Sequence, residues 1–354
     1  MAQIDKPNLH FNTVLYTGNE TNPKAITGVG FQPDWVWIKT RDTSTKPHMW
    51  FDAVRGVYKN IRSDVNNAED TNNETLTAFG TDGFTLGNNG KTNLNGAAHV
   101  AWNWKAGGGQ GSSNTSGTIN TTYTSANTTA GFSISQYTGN GSSGATVGHG
   151  LGAVPKLIIV KALNTSDNWE VYHASLGAEK YIELNLTATQ ADSTAIWNDT
   201  EPTSSVFSIG NNSGVNTNGN PYIAYCFAEK IGYSKISSYK GNGNSTNGPF
   251  VYTGFKPAFV IGKKTNGNSD NWYMLDNKRI GYNEDNYWLY PNLSNTEYGS
   301  DQSNHTAYHA DLLSNGFKLR SSDDMVNGNG NTYVFWAFAE NPIVGSNNVP
   351  AVAR

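Results

Sequence analysis

Two aspartates are the first candidates for chemistry in this chain, because a pair of carboxylates can cleave a glycosidic bond as acid and base or nucleophile. Asp52 and Asp276 each follow a tryptophan in matching parts of the sequence, where a third matching part has His173. Nothing nearby in the sequence would raise the pKa of one carboxyl, as a catalytic acid requires. We therefore interpret both as structural, and we predict no catalytic residue and no enzymatic activity.

Metal binding is the second chemistry to consider. His305 and His309 are four residues apart and could ligate a metal from one helical face, but such pairs are more often exposed or partly packed. Loops at Asp64–Asn67 and Asp323–Asp324 offer oxygen atoms to calcium without an Asp-x-Asp-x-Asp-Gly spacing. With Cys226 as the single cysteine, no zinc cluster of cysteines can form. We predict no metal site and no cofactor, and calcium is the alternative.

Aromatic side chains offer a third chemistry, carbohydrate binding, because a ring can stack on a sugar while neighbouring Asn or Asp side chains bind its hydroxyls. Four aromatics outside the repeated segments are the candidates for stacking on a glycan: Trp197, Trp288, Tyr290 and Tyr298. Burial in loop packing is the alternative for these rings. Two pairs spaced two residues apart share one side of a strand and are predicted to be core: Trp35 with Trp37, and Trp102 with Trp104.

An internal repeat organises the elements that carry these residues. Each of three copies begins with an aromatic-x-Gly-Asn turn and continues with a hydrophobic run whose lysine follows a proline by six positions. A tryptophan, a Phe-x-Leu or Phe-x-Ile segment and a closing aromatic run come next. In chain order, the turns start at Tyr16, Tyr137 and Tyr239, the lysines are Lys39, Lys161 and Lys263, and the tryptophans are Trp50, Trp169 and Trp272. The spacing of roughly 100 residues is that of a domain.

Short β-branched and aromatic runs, separated by Gly, Pro and Asn, predict strands throughout, with a short helix only near Asn304–Leu313. The predicted fold is all-β, with three tandem antiparallel β-sandwich domains of jelly-roll type. Their predicted boundaries are residues 1–105, 131–230 and 235–345, and a Gly/Ser/Thr/Asn-rich linker fills residues 106–130.

The composition excludes several classes of protein. The 354 residues include 10 Trp, 18 Tyr and 14 Phe with a net charge of −4, which argues against disorder. The 24 Lys and Arg do not exceed the 28 Asp and Glu, which argues against nucleic-acid binding. The N-terminal residues lack a signal-peptide pattern, and no apolar run approaches the roughly 20 residues of a membrane helix. We expect no membrane insertion and no export by a cleaved signal.

Copy one resembles an uncharacterised domain that recurs in tail-fibre and other virion proteins of tailed phages, particularly those of marine bacteria. The resemblance covers residues 26–110 and is carried by four segments: Gly30–Asp42, Phe51–Gly56, Asp82–Gly87 and Ala101–Gly108. Copies two and three keep the Pro-to-Lys strand and the closing aromatic strand but depart at the Phe-Asp-x-x-Arg-Gly segment. The resemblance implies a location, a phage particle, rather than a reaction.

The expected function is therefore a non-enzymatic structural protein of a tailed-phage virion, tail-associated as a fibre or tip and contacting host-surface glycans. Expected partners are other virion proteins and a host polysaccharide, in a homo-oligomer for which this class suggests a trimer. The location is the virion, assembled in the host cytoplasm. Two alternatives stay open, namely a capsid decoration protein and a glycan-degrading tailspike enzyme.

Overall fold

The computed structural model describes residues 3–43, 45–279, 283, 287–297 and 310–344, and every structural statement below concerns these residues. They are nearly all β, in several antiparallel sheets, so the predicted fold class is confirmed at that level. The helix expected near residues 304–313 is wrong where it can be checked, because residues 310–313 form a strand. Residues 304–309, including both histidines of the candidate metal pair, lie outside the described residues.

Unit 1, defined by the predicted boundaries 1–105, contains a large and a small sheet. After a 3-10 turn at Pro7–Leu9, its strands are β1 Phe11–Thr17, β2 Lys24–Thr27, β3 Trp35–Thr40, β4 Met49–Asp52, β5 Lys59–Arg62, β6 Asp70–Thr71, β7 Leu76–Gly80, β8 Gly83–Leu86 and β9 Ala98–Trp104. The large sheet has the order β1-β9-β3-β4-β5-β6, and the small sheet has the order β2-β8-β7.

Unit 2, residues 131–230, repeats this plan with one strand more in the large sheet and one strand fewer in the small sheet. Its elements, together with that strand β10, are β10 Thr121–Asn127, β11 Phe132–Thr138, β12 Ala145–Gly148, β13 Leu157–Ala162, β14 Trp169–His173, β15 Lys180–Glu183, β16 Ala191–Asp192, α1 Thr194–Trp197, β17 Val206–Ile209, α2 Ser213–Asn216 and β18 Pro221–Phe227. The sheets are β10-β11-β18-β13-β14-β15-β16 and β12-β17. Strand β10 comes from the predicted linker, so that segment is partly a sheet edge.

Unit 3, residues 235–345, has the same central order of strands. Its elements are β19 Ser234–Lys240, β20 Phe250–Tyr252, β21 Phe255–Lys264, β22 Tyr273–Asp276, β23 Ala310–Leu313, β24 Gly316–Leu319, α3 Asp324–Asn327 and β25 Thr332–Pro342. The sheets are β19-β25-β21-β22 and β20-β24-β23. In all three units, the closing strand therefore lies between the opening strand and the Pro-to-Lys strand.

The large sheets are buried on both faces, which explains their continuous apolar runs. One face of each large sheet contributes to a single core shared by all three units, and this core contains the predicted core tryptophans of unit 1. The opposite faces pack under the small sheets in three separate cores. The units are therefore joined through a common core, whereas tandem sandwiches would each close their own. The predicted boundaries stay a prediction.

Contacts between the units close a ring. An equivalent backbone hydrogen bond leads from unit 1 to unit 2, from unit 2 to unit 3 and from unit 3 back to unit 1. The donor and acceptor pairs are Glu69 N–H to Leu163 O (2.8 Å), Gln190 N–H to Thr265 O (3.2 Å) and Glu297 N–H to Arg41 O (2.8 Å). Each acceptor lies two residues after a repeat lysine. The three copies are thus related by an approximate threefold axis.

A buried carboxylate fixes the start of the segment predicted as a linker. Asp34 accepts backbone hydrogen bonds from Ala106, Gly108 and Gly109 at 2.7, 3.0 and 2.7 Å. Burial raises the pKa of Asp34, and these three hydrogen bonds oppose that rise. The glycine-rich chain is therefore tied to unit 1 before it joins the sheet of unit 2.

Candidate functional site

The predicted stacking aromatics lie inside the protein. Trp197 and Trp288 are 1% exposed and Tyr290 is 7% exposed, in the cores beneath the small sheets of units 2 and 3. Trp197 packs edge-on against Tyr172 with ring centroids 6.0 Å apart. Of the two alternatives for these three rings, stacking on a glycan and burial, the structure shows burial, because they fill space under a sheet of only two or three strands. Tyr298 lies outside the described residues.

The aromatic-x-Gly-Asn turn of each unit is explained by one buried asparagine that the sequence interpretation missed. The three asparagines are fully buried and each precedes the first residue of the closing aromatic run by six positions: Asn93, Asn216 and Asn327. Each side-chain oxygen accepts the backbone N–H of the turn asparagine at 2.8 Å. Each side-chain NH₂ donates to a carbonyl across the loop at 2.7–2.8 Å. The regular six-residue spacing was the signal that could have revealed them.

The other two residues of the turn have equally specific roles. The tyrosine hydroxyl donates to the carbonyl just before the buried asparagine, at 2.6 Å for Tyr16, 2.8 Å for Tyr137 and 2.7 Å for Tyr239. A Cβ atom on the turn glycine would come within 2.0–2.4 Å of a backbone oxygen of the opposite loop. Only glycine allows this close approach. The motif therefore joins two loops at one end of each unit.

The repeat lysines are buried hydrogen-bond donors that hold backbone carbonyls. Burial lowers the pKa of Lys39, Lys161 and Lys263 to about 8. Lys39 donates to Ser294 O in unit 3 at 3.3 Å, and Lys263 donates to Thr187 O in unit 2 at 2.9 Å. These bonds cross between units, so the lysines at these two contacts stabilise the ring.

The candidate catalytic aspartates form buried ion pairs at the contacts between units. Arg55 Nε lies 2.5 Å from Asp52 Oδ2, and Arg279 Nε lies 2.7 Å from Asp276 Oδ2, with all four side chains at most 1% exposed. Burial alone would raise the pKa of Asp276, but Arg279 lowers it below its usual value. Unit 3 thus retains the Asp-x-x-Arg part of the segment that the sequence comparison assigned to copy one alone.

Each of these aspartates also binds the next unit of the ring. Asp52 accepts a hydrogen bond from Tyr225 of unit 2 at 2.7 Å, and Asp276 accepts one from Trp102 of unit 1 at 3.1 Å. Both arginines reach a second acid on the same unit: Arg55 contacts Glu69, and Arg279 contacts Glu297. Both carboxylates are thus engaged in ion pairs and hydrogen bonds within the protein.

Unit 2 has an uncharged side chain at each of the three positions of this ionic network. The three positions that carry Asp, Arg and Glu in units 1 and 3 carry His173, Leu176 and Gln190. Burial lowers the pKa of His173 to about 4, so its ring is neutral at pH 7. His173 Nε2 lies 3.2 Å from Phe335 O of unit 3, so the neutral ring still joins two units by donating a hydrogen bond.

Glu170 is a buried acid of a different kind. Its side chain faces the small core of unit 2, where units 1 and 3 have Met49 and Tyr273. Burial, together with the nearby Glu183 and Asp167, raises its pKa to about 8, against a smaller lowering effect of Lys161. Its Oε2 atom has no hydrogen-bond partner among the residues that the structure describes. Glu170 is therefore largely protonated at pH 7.

Two aromatic side chains outside the predicted set are exposed on unit 3. Phe250 and Tyr252 lie on the outer face of edge strand β20, with 46% and 57% of their surface exposed, while Val251 between them is buried. Lys318 on β24 pairs with Phe250 across the small sheet, and Arg320 follows Leu319 at the end of that strand. We call these four residues the β20–β24 surface. The sequence interpretation missed it because the hydrophobic run Pro249–Phe255 has the pattern of an ordinary strand.

The candidate calcium loops use their carboxylates within the protein. Asp64 accepts the backbone N–H of His48 at 3.0 Å, and Asp323 caps α3 by accepting that of Met325 at 2.9 Å. Within the described ranges, no three His, Cys, Asp or Glu residues are grouped to hold a metal ion.

A cavity of about 60 Å³ beside Thr13 and Glu340 has room for a few water molecules.

In the part of the chain that the structure describes, no helix is long and apolar enough to span a membrane.

Comparison with known families gives one match. A family model with the description "Domain of unknown function (DUF7483)" matches residues 6–342, which include all three units. No curated protein and no solved structure matches the chain significantly.

Proposed function

This chain belongs to the family described as Domain of unknown function (DUF7483), and we propose its function from its geometry and from the resemblance of residues 26–110 to a domain of phage virion proteins. It is a structural protein of a tailed-phage virion, tail-associated as part of a fibre or tip, and it contacts the host surface. Its partners are other virion proteins, and the glycans of the host are its external ligands.

The observation that carries this proposal is the ring of three units around one core. The side chains that recur in the repeat, such as Tyr137, Asn216, Lys263 and the Asp52–Arg55 pair, bind other parts of the same protein. They connect loops and units, which is what a load-resisting particle component needs. We propose that each unit is a jelly-roll-like sandwich whose large sheet has become part of the shared core.

An approximate threefold axis also favours a tail position. Tail fibres and tips are commonly built on threefold axes, and one chain of this protein presents three related units to such an axis. Capsid decoration is the alternative place in the particle, and a glycan-degrading tailspike is the alternative activity.

The test is to locate the chain on purified virions by immunogold electron microscopy, with mass spectrometry of the same particles. We expect gold on the tail and peptides from all three units. Antibody that has been adsorbed with the purified chain is the control. Gold over the head would replace the tail proposal with decoration, and absence from the particles by both methods would refute a virion role. Oligosaccharide release that one Asp or Glu substitution abolishes would establish the tailspike enzyme instead.

A further inference from the structure

We infer that the β20–β24 surface of unit 3 binds a negatively charged carbohydrate, with Phe250 and Tyr252 as the stacking rings. This inference rests on the proposed contact with the host surface and names its site and ligand class. Its four residues were not among the candidates from the sequence.

The two rings are held in place by glycines. A Cβ atom at Gly316 would come within 3.0–3.1 Å of two ring atoms of Phe250, so this ring lies directly against the glycine backbone. The phenol end of Tyr252 lies beside Gly254 in the same way, at 3.6–3.8 Å from a Cβ position. Two outward positions on one strand are about 7 Å apart, a spacing that suits neighbouring sugars of one chain. The rings thus form a supported platform that stays half exposed.

The corresponding strands of the other units show that the fold does not need these aromatics. Opposite the repeat phenylalanine of β8, β17 or β24, each unit has a buried aliphatic residue flanked by two positions on the other face of the strand. These pairs are Ala25 and Thr27 in unit 1, Thr146 and Gly148 in unit 2, and Phe250 and Tyr252 in unit 3. In unit 2, Asn114 covers Gly148, so that position is buried. The cross-strand neighbours of the pairs also differ, with Thr85 and Ser208 where unit 3 has Lys318. Unit 3 alone therefore combines exposed rings with a positive charge.

The polar side chains around the rings specify the ligand. Lys318 contacts the Asn247 side chain at 3.3 Å, and Arg320 Nε lies 2.6 Å from Asp311 Oδ2. Counting only Lys318, Arg320 and Asp311 among the described residues, two cations stand against one carboxylate, which gives this face an excess of positive charge. Ammonium, guanidinium and amide groups donate hydrogen bonds to sugar hydroxyls and to carboxylate or sulfate substituents. An acidic polysaccharide fits both the rings and the charge.

The area of the surface argues against a second copy of the chain as the occupant. The exposed parts of Phe250 and Tyr252 amount to an area on the order of 200 Å², whereas a stable protein interface needs about 800 Å² from each partner. A sugar chain of a few residues needs no larger contact than these rings and their neighbours provide.

The test is calorimetric titration of the full chain with acidic hexasaccharides (hexagalacturonate, hexamannuronate and a hyaluronan hexamer), with maltohexaose as the neutral probe. We expect at least one acidic probe to bind, more tightly than maltohexaose and less tightly at high salt. In the variant Phe250→Thr/Tyr252→Thr, which copies residue types from units 1 and 2, affinity should fall at least about tenfold. Lys318→Gln should lower the affinity for the acidic probe several-fold and make that affinity less dependent on salt.

Ile231→Thr is the matched control, because Ile231 is 57% exposed, as is Tyr252, and lies outside the surface. It should bind as the wild type does, and all variants should show the wild-type thermal transition. Failure of every acidic probe to bind, preference for maltohexaose, or unchanged affinity in the double variant would overturn the inference. A shift from dimer to monomer in the double variant by light scattering would also overturn it, in favour of a second copy. Gold on the tail without glycan binding would overturn this inference but leave the proposed virion function in place. Glycan binding by a chain that is absent from virions would refute the proposed virion function but not this inference.

Discussion

Glu170 carries a carboxyl group in a buried position that faces the small core of unit 2. Its position holds an uncharged side chain in the other two units, Met49 or Tyr273, and the small core around it offers its Oε2 atom no hydrogen-bond donor. The carboxyl therefore stays protonated in the folded protein over a range of pH in which it ionises in the unfolded chain. Stability must depend on pH through this residue.

We predict that Glu170→Gln removes part of the loss of stability between pH 5 and pH 8. The folded pKa of about 8 lies above the ordinary value of 4.5, so the folded state binds more protons than the unfolded state between these values. The contribution of Glu170 is thus most favourable below pH 4.5 and is lost as the pH rises to 8. Thermal melting at pH 5, 6.5 and 8 should show the variant matching the wild type at pH 5 and exceeding it by several degrees at pH 8. Exposed Glu179→Gln should melt in parallel with the wild type, and parallel curves for Glu170→Gln would contradict the prediction.

At the scale of elements, each unit depends on a buried asparagine that substitutes for sheet hydrogen bonds. The opening strand ends at the aromatic-x-Gly-Asn turn. The loop before the closing strand passes directly over the glycine of that turn. The two loops exchange backbone hydrogen bonds, such as Gly139 N–H to Asn220 O and Gly219 N–H to Gly139 O, both at 2.9 Å. The asparagine side chain adds a donor and an acceptor for backbone groups that these bonds do not serve. The same solution in three units indicates a requirement of this fold.

We predict that Asn216→Ala lowers the free energy of unfolding by about 2–4 kcal/mol. The substitution leaves the backbone N–H of Asn140 and the carbonyls of Ser142 and Gly210 without this partner. Urea denaturation measures the effect, and Asn164→Ala, at an exposed position, should change the stability by less than about 0.5 kcal/mol. Equal effects of the two substitutions would show that the loops find other partners.

At the scale of the whole molecule, the contacts between units are chemically different although they are geometrically alike. Units 1 and 3 each contribute an Asp–Arg–Glu network, whereas unit 2 contributes the neutral set of His173, Leu176 and Gln190. A buried charge without its partner is strongly unfavourable, so a network of this kind has to be kept or replaced as a whole. Unit 2 is an example of complete replacement within the same chain.

We predict strong non-additivity in the network of unit 1. Arg55→Leu should cost about 3–5 kcal/mol, because it leaves the buried Asp52 without its cation. The triple variant Asp52→His/Arg55→Leu/Glu69→Gln, which copies unit 2, should be more stable than Arg55→Leu alone. Urea denaturation of the single and combined variants measures the coupling energy. A triple variant less stable than Arg55→Leu would show that the neutral set works only in the surroundings of unit 2.

The sequence was sufficient for the local features and insufficient for those set by contacts between units. Strand positions and the burial of Trp35 and Trp102 follow from residue type and spacing, which the structure confirms. The shared core could not be predicted, because an apolar face has the same pattern whether a small sheet or another unit covers it. For the same reason, the sequence could not decide between glycan stacking and burial for Trp197.

One repeat landmark was also matched incorrectly. His48, rather than Trp50, corresponds to Trp169 and Trp272, since the backbone N–H of each bonds to an equivalent polar side chain: Asp64, Asn185 or Asn292. A change of residue type at an equivalent position hid this relation, because the nearest tryptophan along the chain took its place. The β20–β24 surface was missed because exposure is a property of the folded molecule.

The presence of all three units of the ring in one chain has a consequence for valency. In a homotrimer, every substitution appears three times, so a ligand site arises with three copies and gains avidity from them. Here the three units belong to one chain and differ in sequence, and Phe250 and Tyr252 lie in unit 3. Under the proposed function, a single chain would therefore offer one glycan site at this surface, and tight attachment to a repetitive target would depend on how many chains one particle displays.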